Sequence, residues 1–539
     1  MSSRVPGAAL SIVLIATLSG CSQTNEQASS TRQVVHGSHR PVRGCATLTD
    51  TTWSDGSRVT SATDISADGA TPEYCKVAVL VPDQISIVVE MPVSNWNGRY
   101  EALGGGGYDG SLSGLASAPT ALAEGYVASA TDTGHQGSLL SGSWAWSPKG
   151  MNQALIEDFA YRANHEMAIK SKDLIHAFYG SAPSYSYWNG CSSGGREGIT
   201  EAVDYPEDFD GIVAESPAIN WTRFVPAEEW PALVMKWMGD YLPSCKEKAV
   251  TDAVMAACNG TGDGTDDGLI DPRNCAFDPR RLIGISTPCG IFTAKDAAVV
   301  EEIWRGPRDQ NGKFLWYGLE PGADLGPGIS LAATAPAAST EGYVATPFPI
   351  SDDWFRYWIH QNPTWNYQQE SFDQYVKDFD ASVAKWGNVL STDDPNLTAF
   401  KDHGGKLILW HGLADQLIFP QGTIDYYNDV LRTMGGLANV STFARLFLSP
   451  NSPHCETGTA GPLPVDPLAA VVKWRERGIA PATLLGAGTN PAGQTLSRNL
   501  CPYPERMAYN GHGDNLSASN FHCTGPPVSG SNGSASNTS

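Results

Sequence analysis

Residues 184–194 read SYSYWNGCSSG. The first half of this stretch is rich in Tyr and Trp, which favour a β-strand. The second half has the pattern Gly190-x-Ser192-x-Gly194, and a serine on so tight a turn needs small neighbours because bulky ones would clash. Such a turn exposes the serine hydroxyl, and the backbone N–H of Ser193 can donate to an oxyanion at the start of the next helix. The stretch therefore predicts a nucleophile turn with Ser192 as the nucleophile.

The pattern alone recurs by chance in chains rich in Gly and Ser, so the hydrophobic periodicity around it matters. Residues 152–176 have the spacing of apolar residues that is typical of a helix. Apolar and β-branched runs predict further strands, one or two of them within residues 76–91, and one each at 98–103, 125–130, 184–188 and 406–411. Strands that alternate with helices imply a mostly parallel sheet covered on both faces. The predicted fold class is α/β, specifically an α/β-hydrolase fold with a large inserted lid domain.

A serine hydroxyl is a weak nucleophile until a base removes its proton, so a histidine held by a carboxylate should accompany Ser192. In this fold class the chain order is serine, acid, histidine. Asp415 lies just beyond the apolar strand at 406–411, whereas the nearby Asp425 lies in a helical stretch. His454 lies in a loop of Ser, Pro and Gly. Taken singly, the aspartate could be a helix cap and the histidine a solvated loop residue, but together they predict a catalytic triad.

The N-terminus has the features of an export signal. Arg4 precedes an apolar stretch at 8–18 that is too short to span a bilayer, and Leu18-Ser19-Gly20-Cys21 follows. This ending is similar to the bacterial lipobox, in which the cysteine is acylated and becomes the first residue of the mature chain. The alternative is ordinary signal cleavage nearby. We expect an exported protein, either lipid-anchored to the bacterial outer membrane through Cys21 or periplasmic or extracellular.

Length and charge limit the remaining possibilities. A chain of 539 residues is longer than one hydrophobic core usually holds, so an insertion is expected. The net charge of −22 and the absence of a basic cluster argue against a nucleic-acid partner, and contact with a membrane is expected only through the lipid anchor. The predicted segments are a signal peptide at 1–20, an anchor cysteine and tether at 21–44, hydrolase core at 45–219 and 401–525, the lid at 220–400 and a disordered tail at 526–539.

Ten cysteines remain when Cys21 is set aside, and an even number in an exported chain indicates disulfides. Local closure of short loops favours three pairs, which are Cys45–Cys75, Cys258–Cys275 and Cys501–Cys523. The other four, Cys191, Cys245, Cys289 and Cys455, would pair among themselves. Cys191 precedes the predicted nucleophile and Cys455 follows the predicted base, so a bridge between them would hold both within reach. The alternative is that these two cysteines are free or pair elsewhere.

These motifs resemble the tannase and feruloyl esterase family, which also contains a hydrolase of mono(2-hydroxyethyl) terephthalate. The resemblance covers nearly the whole mature chain and rests on residues 96–99, 190–198, 205–213, 411–415, 421–427 and 454–455. It implies that Ser192 is the nucleophile, His454 the general base and Asp415 its orienting acid. It also implies a Cys191–Cys455 bridge beside them, and backbone oxyanion donors from Ser193 and from the glycine run at Gly106.

The family carries a structural calcium ion in its lid, and the corresponding segment here is 263–271. The resemblance implies carboxylate ligands from Asp263 and Asp267 and backbone carbonyl ligands from Thr265 and Leu269, oxygen donors that suit a hard cation. Family members usually have another aspartate directly after the first cysteine of this loop, but Asn259 and Gly260 stand there in this chain. The ion would therefore bind with fewer charges, or recruit Asn259 or Asp266. The alternative is a polar turn without metal.

Substrate choice in the family lies in the lid. Trp354 and Phe355 could stack on an aromatic acyl ring and Arg356 could bind a carboxylate, or the aromatics could be lid core and Arg356 could pair with a neighbouring aspartate. The resemblance implies a carboxylic ester hydrolase that acts on feruloyl, galloyl or mono(2-hydroxyethyl) terephthalate esters without a redox cofactor. The alternatives are a serine peptidase on the same scaffold and a surface lipoprotein that binds ligands without turnover.

Overall fold

A computed structural model describes residues 39–525 apart from positions 83, 327–328, 339–341, 456–460 and 491. The predictions for the signal peptide, for Cys21 and for the tail at 526–539 lie outside these described residues. Within them, no helix combines the length and the apolar character needed to cross a membrane.

The strands are β1 (Arg58–Ile65), β2 (Tyr74–Val81), β3 (Ile85–Pro92), β4 (Arg99–Leu103), β5 (Val127–Thr131), β6 (Trp146–Ser147), β7 (Gly150–Met151), β8 (Tyr185–Cys191), β9 (Gly211–Glu215), β10 (Ser286–Thr287), β11 (Gly290–Ile291), β12 (Thr334–Pro336), β13 (Tyr343–Ala345), β14 (Lys406–Gly412), β15 (Ala444–Ser449), β16 (Leu463–Pro464), β17 (Leu484–Thr489), β18 (Thr495–Leu500), β19 (Arg506–Tyr509) and β20 (Phe521–Thr524). The α-helices are α1 (Ala118–Ala123), α2 (Gln153–Glu157), α3 (Ala163–Tyr179), α4 (Ser193–Asp204), α5 (Trp221–Glu228), α6 (Trp230–Met238), α7 (Ser244–Cys258), α8 (Ala294–Arg305), α9 (Pro349–Asp353), α10 (Phe372–Leu390), α11 (Thr398–His403), α12 (Pro420–Thr433), α13 (Leu437–Val440) and α14 (Pro467–Arg477).

A central sheet of nine strands has the order β1-β2-β3-β5-β4-β8-β9-β14-β15. The six strands from β5 to β15 in this order run parallel to one another, while β1, β2 and β3 form an antiparallel edge. The predicted run at 76–91 is two strands, which pair with Val77 opposite Val89. The α/β fold predicted from the sequence is confirmed.

Both faces of the sheet are covered, and successive strand residues point to opposite sides. Along β9, Ile212 belongs to the apolar core under α3, α4 and α12, whereas Val213 belongs to the core under α1 and α14. In β14, Leu407 belongs to the first of these two cores and Ile408 to the second. Burial on both faces explains why the parallel strands read as continuous apolar runs in the sequence.

The helix predicted at 152–176 is formed in three parts. The Asn152 side chain accepts the backbone N–H of Leu155 at the start of α2, a π-helical turn follows at Asp158–Arg162, and α3 continues to Tyr179. The helix ends at Gly180, whose φ of 77° suits a residue without a Cβ atom.

Between β9 and β14 the described chain forms helices α5 to α11 and two short hairpins, and none of its described strands joins the central sheet. This part has its own apolar core, which is rich in tryptophan and also contains Phe159 from the π-helical turn. The segment corresponds to the predicted lid at 220–400, whose boundaries remain a prediction.

Candidate active site

Ser192 lies on the turn between β8 and α4, with φ 61° and ψ −122°, a backbone conformation that is strained for any residue with a side chain. Its N–H donates to the carbonyl oxygen of Glu215 on β9 at 2.9 Å, which fixes the turn to the sheet. The flanking glycines are required by close packing. A Cβ atom on Gly190 would lie 2.7 Å from the backbone of Gly194, and one on Gly194 would lie 3.0 Å from Gly104.

Asp415 lies three residues beyond β14, at the carboxyl edge of the sheet, and is fully buried. Its Oδ1 accepts the backbone N–H groups of Leu417 and Ile418 at 2.9 and 2.8 Å, and its Oδ2 lies 2.7 Å from Nδ1 of His454. The backbone N–H of His454 donates to the side chain of Gln416. The structure thus brings the predicted acid and base into contact, although they are far apart in the sequence.

A second histidine contacts the same carboxylate. His411, the penultimate residue of β14, has Nε2 3.0 Å from Oδ2 of Asp415 and Nδ1 2.8 Å from the hydroxyl of Thr423. Burial alone would raise the pKa of Asp415, but His454 and His411 outweigh it and hold this pKa well below its usual range. The carboxylate therefore stays ionised at neutral pH. His411 was not among the predicted site residues, although a histidine at the end of an apolar strand was a signal.

A cavity of about 220 Å³ lies beside the turn, and both Ser192 and His454 line it. Its apolar lining includes Leu139, Trp221, Phe224, Phe348, Leu417 and Ile418. The volume is below the ~300–1,000 Å³ that is common for small-molecule sites, so the cavity suits a compact ligand. Trp221 and Phe224 were not among the predicted site residues, although α5 begins soon after the strand that follows the nucleophile turn.

The predicted oxyanion donors, Ser193 and Gly106, both line this cavity. Ser193 begins α4, where the first backbone N–H groups of a helix have no partner within the helix. Its hydroxyl donates to the carbonyl oxygen of Gly107 at 2.5 Å, and the N–H of Gly194 donates to that of Gly105 at 2.9 Å. These bonds hold the glycine run against the start of α4.

Five disulfides are formed in the described chain. The three pairs predicted from local closure are confirmed, and the other four cysteines form Cys191–Cys455 and Cys245–Cys289. Cys191 and Cys455, with Cα atoms 6.0 Å apart, are the chain neighbours of Ser192 and His454. The bridge therefore joins the nucleophile turn to the loop that carries the histidine.

The residues predicted for substrate binding lie elsewhere. Trp354 and Phe355 are fully buried in the lid core, and the guanidinium of Arg356 donates to Asp352 and lies 3.6 Å from Asp353. None of the three predicted residues is among the described residues that line the cavity. Their positions match the alternative in which the aromatics are lid core and Arg356 pairs with neighbouring aspartates.

The predicted calcium loop places two buried carboxylates side by side. Oδ1 of Asp263 accepts the N–H and hydroxyl of Thr265, and Oδ1 of Asp267 accepts the N–H of Leu269. Their Oδ2 atoms both accept from the guanidinium of Arg498, which is fully buried. The oxygen donors fit a hard cation, and the loop already holds one positive group between its carboxylates.

Asn259 and Asp266, the two residues considered as additional calcium ligands, differ in their surroundings. The side-chain oxygen of Asn259 accepts the N–H of Gly268 at 2.7 Å, so it is engaged within the loop, and Asp266 is exposed.

The parallel sheet, the strained serine turn at its carboxyl edge and the acid–histidine pair after β14 define the α/β-hydrolase class. A model of the family described as "Tannase and feruloyl esterase" matches residues 73–524. The chain therefore belongs to the tannase and feruloyl esterase family, as the sequence motifs predicted, and it is a carboxylic ester hydrolase.

Similarity to individual relatives supports this family assignment. The chain is 37% identical to a probable feruloyl esterase of Arthroderma benhamiae over 85% of this chain and 87% of the relative. It is 32% identical to a probable feruloyl esterase B-2 of Aspergillus terreus over 87% and 90% of the two chains. Among solved structures, feruloyl esterase B from Aspergillus oryzae superposes with a TM-score of 0.73 at 26% identity, covering 88% of this chain and 98% of that one.

Proposed function

We propose that the protein hydrolyses esters of small aromatic acids through an acyl-enzyme on Ser192. One observation carries the proposal: His454 lies 2.7 Å from Asp415 and lines the same compact cavity as Ser192. The relatives named as feruloyl esterases support an aromatic acyl group.

In the first half of the reaction, His454 removes the proton of the Ser192 hydroxyl while the oxygen attacks the ester carbonyl carbon. The Nδ1 side of the imidazole faces Asp415, so the carboxylate holds the ring orientation and stabilises the imidazolium that forms. The negative charge on the carbonyl oxygen is held by the backbone N–H groups of Ser193 and Gly106. The tetrahedral intermediate then collapses, and His454 protonates the departing alcohol.

In the second half, His454 takes a proton from water as the water oxygen attacks the acyl carbon. The tetrahedral intermediate then collapses, His454 returns the proton to the Ser192 oxygen, and the acid is released. The strained backbone at Ser192 and the Cys191–Cys455 bridge keep nucleophile and base in fixed geometry through both halves.

The cavity favours an uncharged acyl ring. Its described lining contains no Lys or Arg, and its acidic member, Glu228, is buried. A terephthaloyl group carries a second carboxylate, which would lack a cationic partner in the described lining. We therefore rank feruloyl and galloyl esters above mono(2-hydroxyethyl) terephthalate as substrates.

The test is acid release from methyl ferulate, methyl gallate and mono(2-hydroxyethyl) terephthalate, beside a peptide with the same aromatic acyl group in amide linkage. We expect turnover of the first two esters, weak turnover of the terephthalate and none of the peptide. Amide cleavage at a rate equal to ester cleavage would favour the peptidase alternative. Tight binding of the esters without any acid release would favour the non-catalytic lipoprotein.

We further propose a structural calcium ion in the lid loop, with Asp263 and Asp267 sharing their carboxylates between the ion and Arg498. The backbone carbonyls of Thr265 and Leu269 would complete the protein ligands. Two carboxylates and one guanidinium leave a net charge of −1, so the ion would bind more weakly than in a loop with a third aspartate. Its role would be to hold the loop, with no part in the chemistry.

We also propose that the protein is exported and anchored through an acylated Cys21. Five disulfides in the described chain suit an oxidising compartment outside the cytoplasm. Mass spectrometry of the mature N-terminus tests this: a diacylglycerol adduct on Cys21 is expected, and an unmodified N-terminus elsewhere would contradict the anchor.

A further inference from the structure

Helix α5 turns one face toward the cavity beside Ser192. Trp221, Phe224 and Glu228 all line that cavity, and their spacing of three and four residues places them on one side of the helix. The start of the helix is held near the nucleophile, because the N–H of Ala218 donates to the carbonyl oxygen of Ser192 at 3.0 Å. At a rise of about 1.5 Å per residue, Glu228 lies about 10 Å further along the helix axis than Trp221.

Glu228 is an acid buried in an apolar setting. Its side chain is 2% exposed, and its Oε2 atom has no hydrogen-bond partner among the described residues. Buried polar atoms are nearly always paired, so a residue that lines a cavity with an unpaired carboxyl oxygen is a place where a ligand hydroxyl or a water can complete the hydrogen bonding. The neighbouring Glu229 is engaged elsewhere, since it accepts the hydroxyl of Ser351 at 2.6 Å.

The charge state of Glu228 suits a neutral polar partner. Burial raises the pKa of Glu228 well above its usual range, and the nearby carboxylates of Asp415 and Glu229 raise it further. Among the residues that the structure describes, no cation lowers this pKa. At neutral pH the group is therefore a carboxylic acid, which can both donate and accept one hydrogen bond.

We propose that Glu228 is the subsite for a hydroxyl group on the aromatic ring of the acyl moiety. The proposal rests on the proposed function and adds to it the substrate feature that the site selects. With the carbonyl carbon at Ser192, the ring would lie against Trp221 and Phe224, and a hydroxyl on the far side of the ring would pair with the Glu228 carboxyl group. A ring without that hydroxyl would leave the buried acid unpaired, and a site of this kind rejects such analogues.

The experiment compares methyl p-coumarate with methyl cinnamate, which differ only by the para hydroxyl. The ratio of their kcat/KM values is measured for the wild-type protein, Glu228→Gln and Glu228→Leu. We expect the wild type to prefer the hydroxylated ester about 100-fold or more. Glu228→Leu should reduce the ratio to within about threefold of one, mainly through a lower kcat/KM for methyl p-coumarate, and Glu228→Gln, whose amide still donates and accepts, should keep an intermediate ratio.

Two outcomes would overturn the proposal. A wild-type ratio near one would do so without any variant, and so would an unchanged high ratio in both variants. Hydrolysis of methyl cinnamate by Glu228→Leu shows that its site is folded, and Glu228→Gln provides the comparison if the leucine variant does not fold. Failure of the wild type to hydrolyse either ester would instead contradict the proposed function, so the two failures are distinguishable.

Discussion

At the scale of single residues, Asp415 divides its two oxygens between two tasks. Oδ1 is fixed by the backbone N–H groups of Leu417 and Ile418, and Oδ2 faces His454 and His411. An asparagine would offer only one acceptor oxygen, and its NH₂ group would face either the backbone donors or the imidazoles. The carboxylate is therefore required both for its charge and for its two acceptors.

Asp415→Asn should lower kcat/KM for methyl ferulate by about 10⁴-fold, because the imidazole of His454 loses its orienting charge. The matched control is Asp425→Asn. Asp425 is the other aspartate considered from the sequence, and it is exposed on α12, where it accepts the hydroxyl of Tyr317. Steady-state kinetics of both variants test whether Asp415 is the acid of the triad. An equal loss of kcat/KM in the two variants would contradict this role.

Some of the site could be predicted from single residues and some could not. Ser192, Asp415 and His454 stand in local patterns of glycine, strand and loop, so their proximity followed from chain order in this fold class. His411 and Glu228 have no such pattern. What distinguishes them is burial beside residues that are distant in the sequence, which depends on how α5 and β14 pack. Trp354 and Phe355 were considered for substrate binding as well as for the lid core, because an aromatic run in the sequence is compatible with both.

At the scale of elements, the bridge between Cys191 and Cys455 ties the start of α4 to the loop after β15. Replacing both cysteines with alanine should lower kcat at least about tenfold, since small displacements of base from nucleophile cost rate. The control is a double variant with Cys45→Ala and Cys75→Ala, which lacks the disulfide at the antiparallel edge of the sheet. Equal kcat values for the two double variants would show that the active-site bridge has no catalytic importance.

The loop after α7 provides a second prediction at this scale. Removing calcium with a chelator should lower the melting temperature, because Asp263 and Asp267 would then repel each other with only Arg498 between them. Added calcium should restore the melting temperature, while added magnesium should not, since it demands a smaller octahedral site. A melting temperature that is the same with chelator and with calcium would mean that Arg498 alone holds the loop.

Most strands could be predicted because each is a local apolar run. The division of residues 76–91 into β2 and β3 remained open because both strands are apolar, although Pro82 and Asp83 between them are residue types that favour a turn. The interruption of the helix after Glu157 by a π-helical turn could not be read either, since its apolar spacing is close to that of an α-helix. Sheet order depends on long-range pairing and came only from the structure.

At the scale of the whole molecule, buried acids make stability depend on pH. Burial raises the pKa of Glu229 to about 8 and that of Glu247 to about 9. Between the unfolded value of about 4.3 and these values, the folded state holds protons that the unfolded state has lost. Stability should therefore fall as pH rises, by about 1.4 kcal/mol per pH unit for each group.

Denaturant unfolding at about pH 5.5 and about pH 8.5, with disulfides intact, measures this fall. Glu229→Gln should flatten the dependence, because an amide does not titrate. The depressed pKa of Asp415 acts with the opposite sign, but its contribution is lost only below about pH 4, outside this range. A free energy of unfolding that rises with pH over the range would contradict the buried-acid account.

In the proposed mechanism Ser192 forms the acyl-enzyme, and the adjacent Ser193 provides a matched control for a direct test. The measurement is kcat/KM for methyl ferulate in Ser192→Ala and in Ser193→Ala. The first variant should lose about 10⁴-fold or more, because no nucleophile remains. The second should stay within about tenfold of the wild type, because alanine keeps the backbone N–H that faces the oxyanion. Retained activity in Ser192→Ala, or an equal loss in both, would contradict the account.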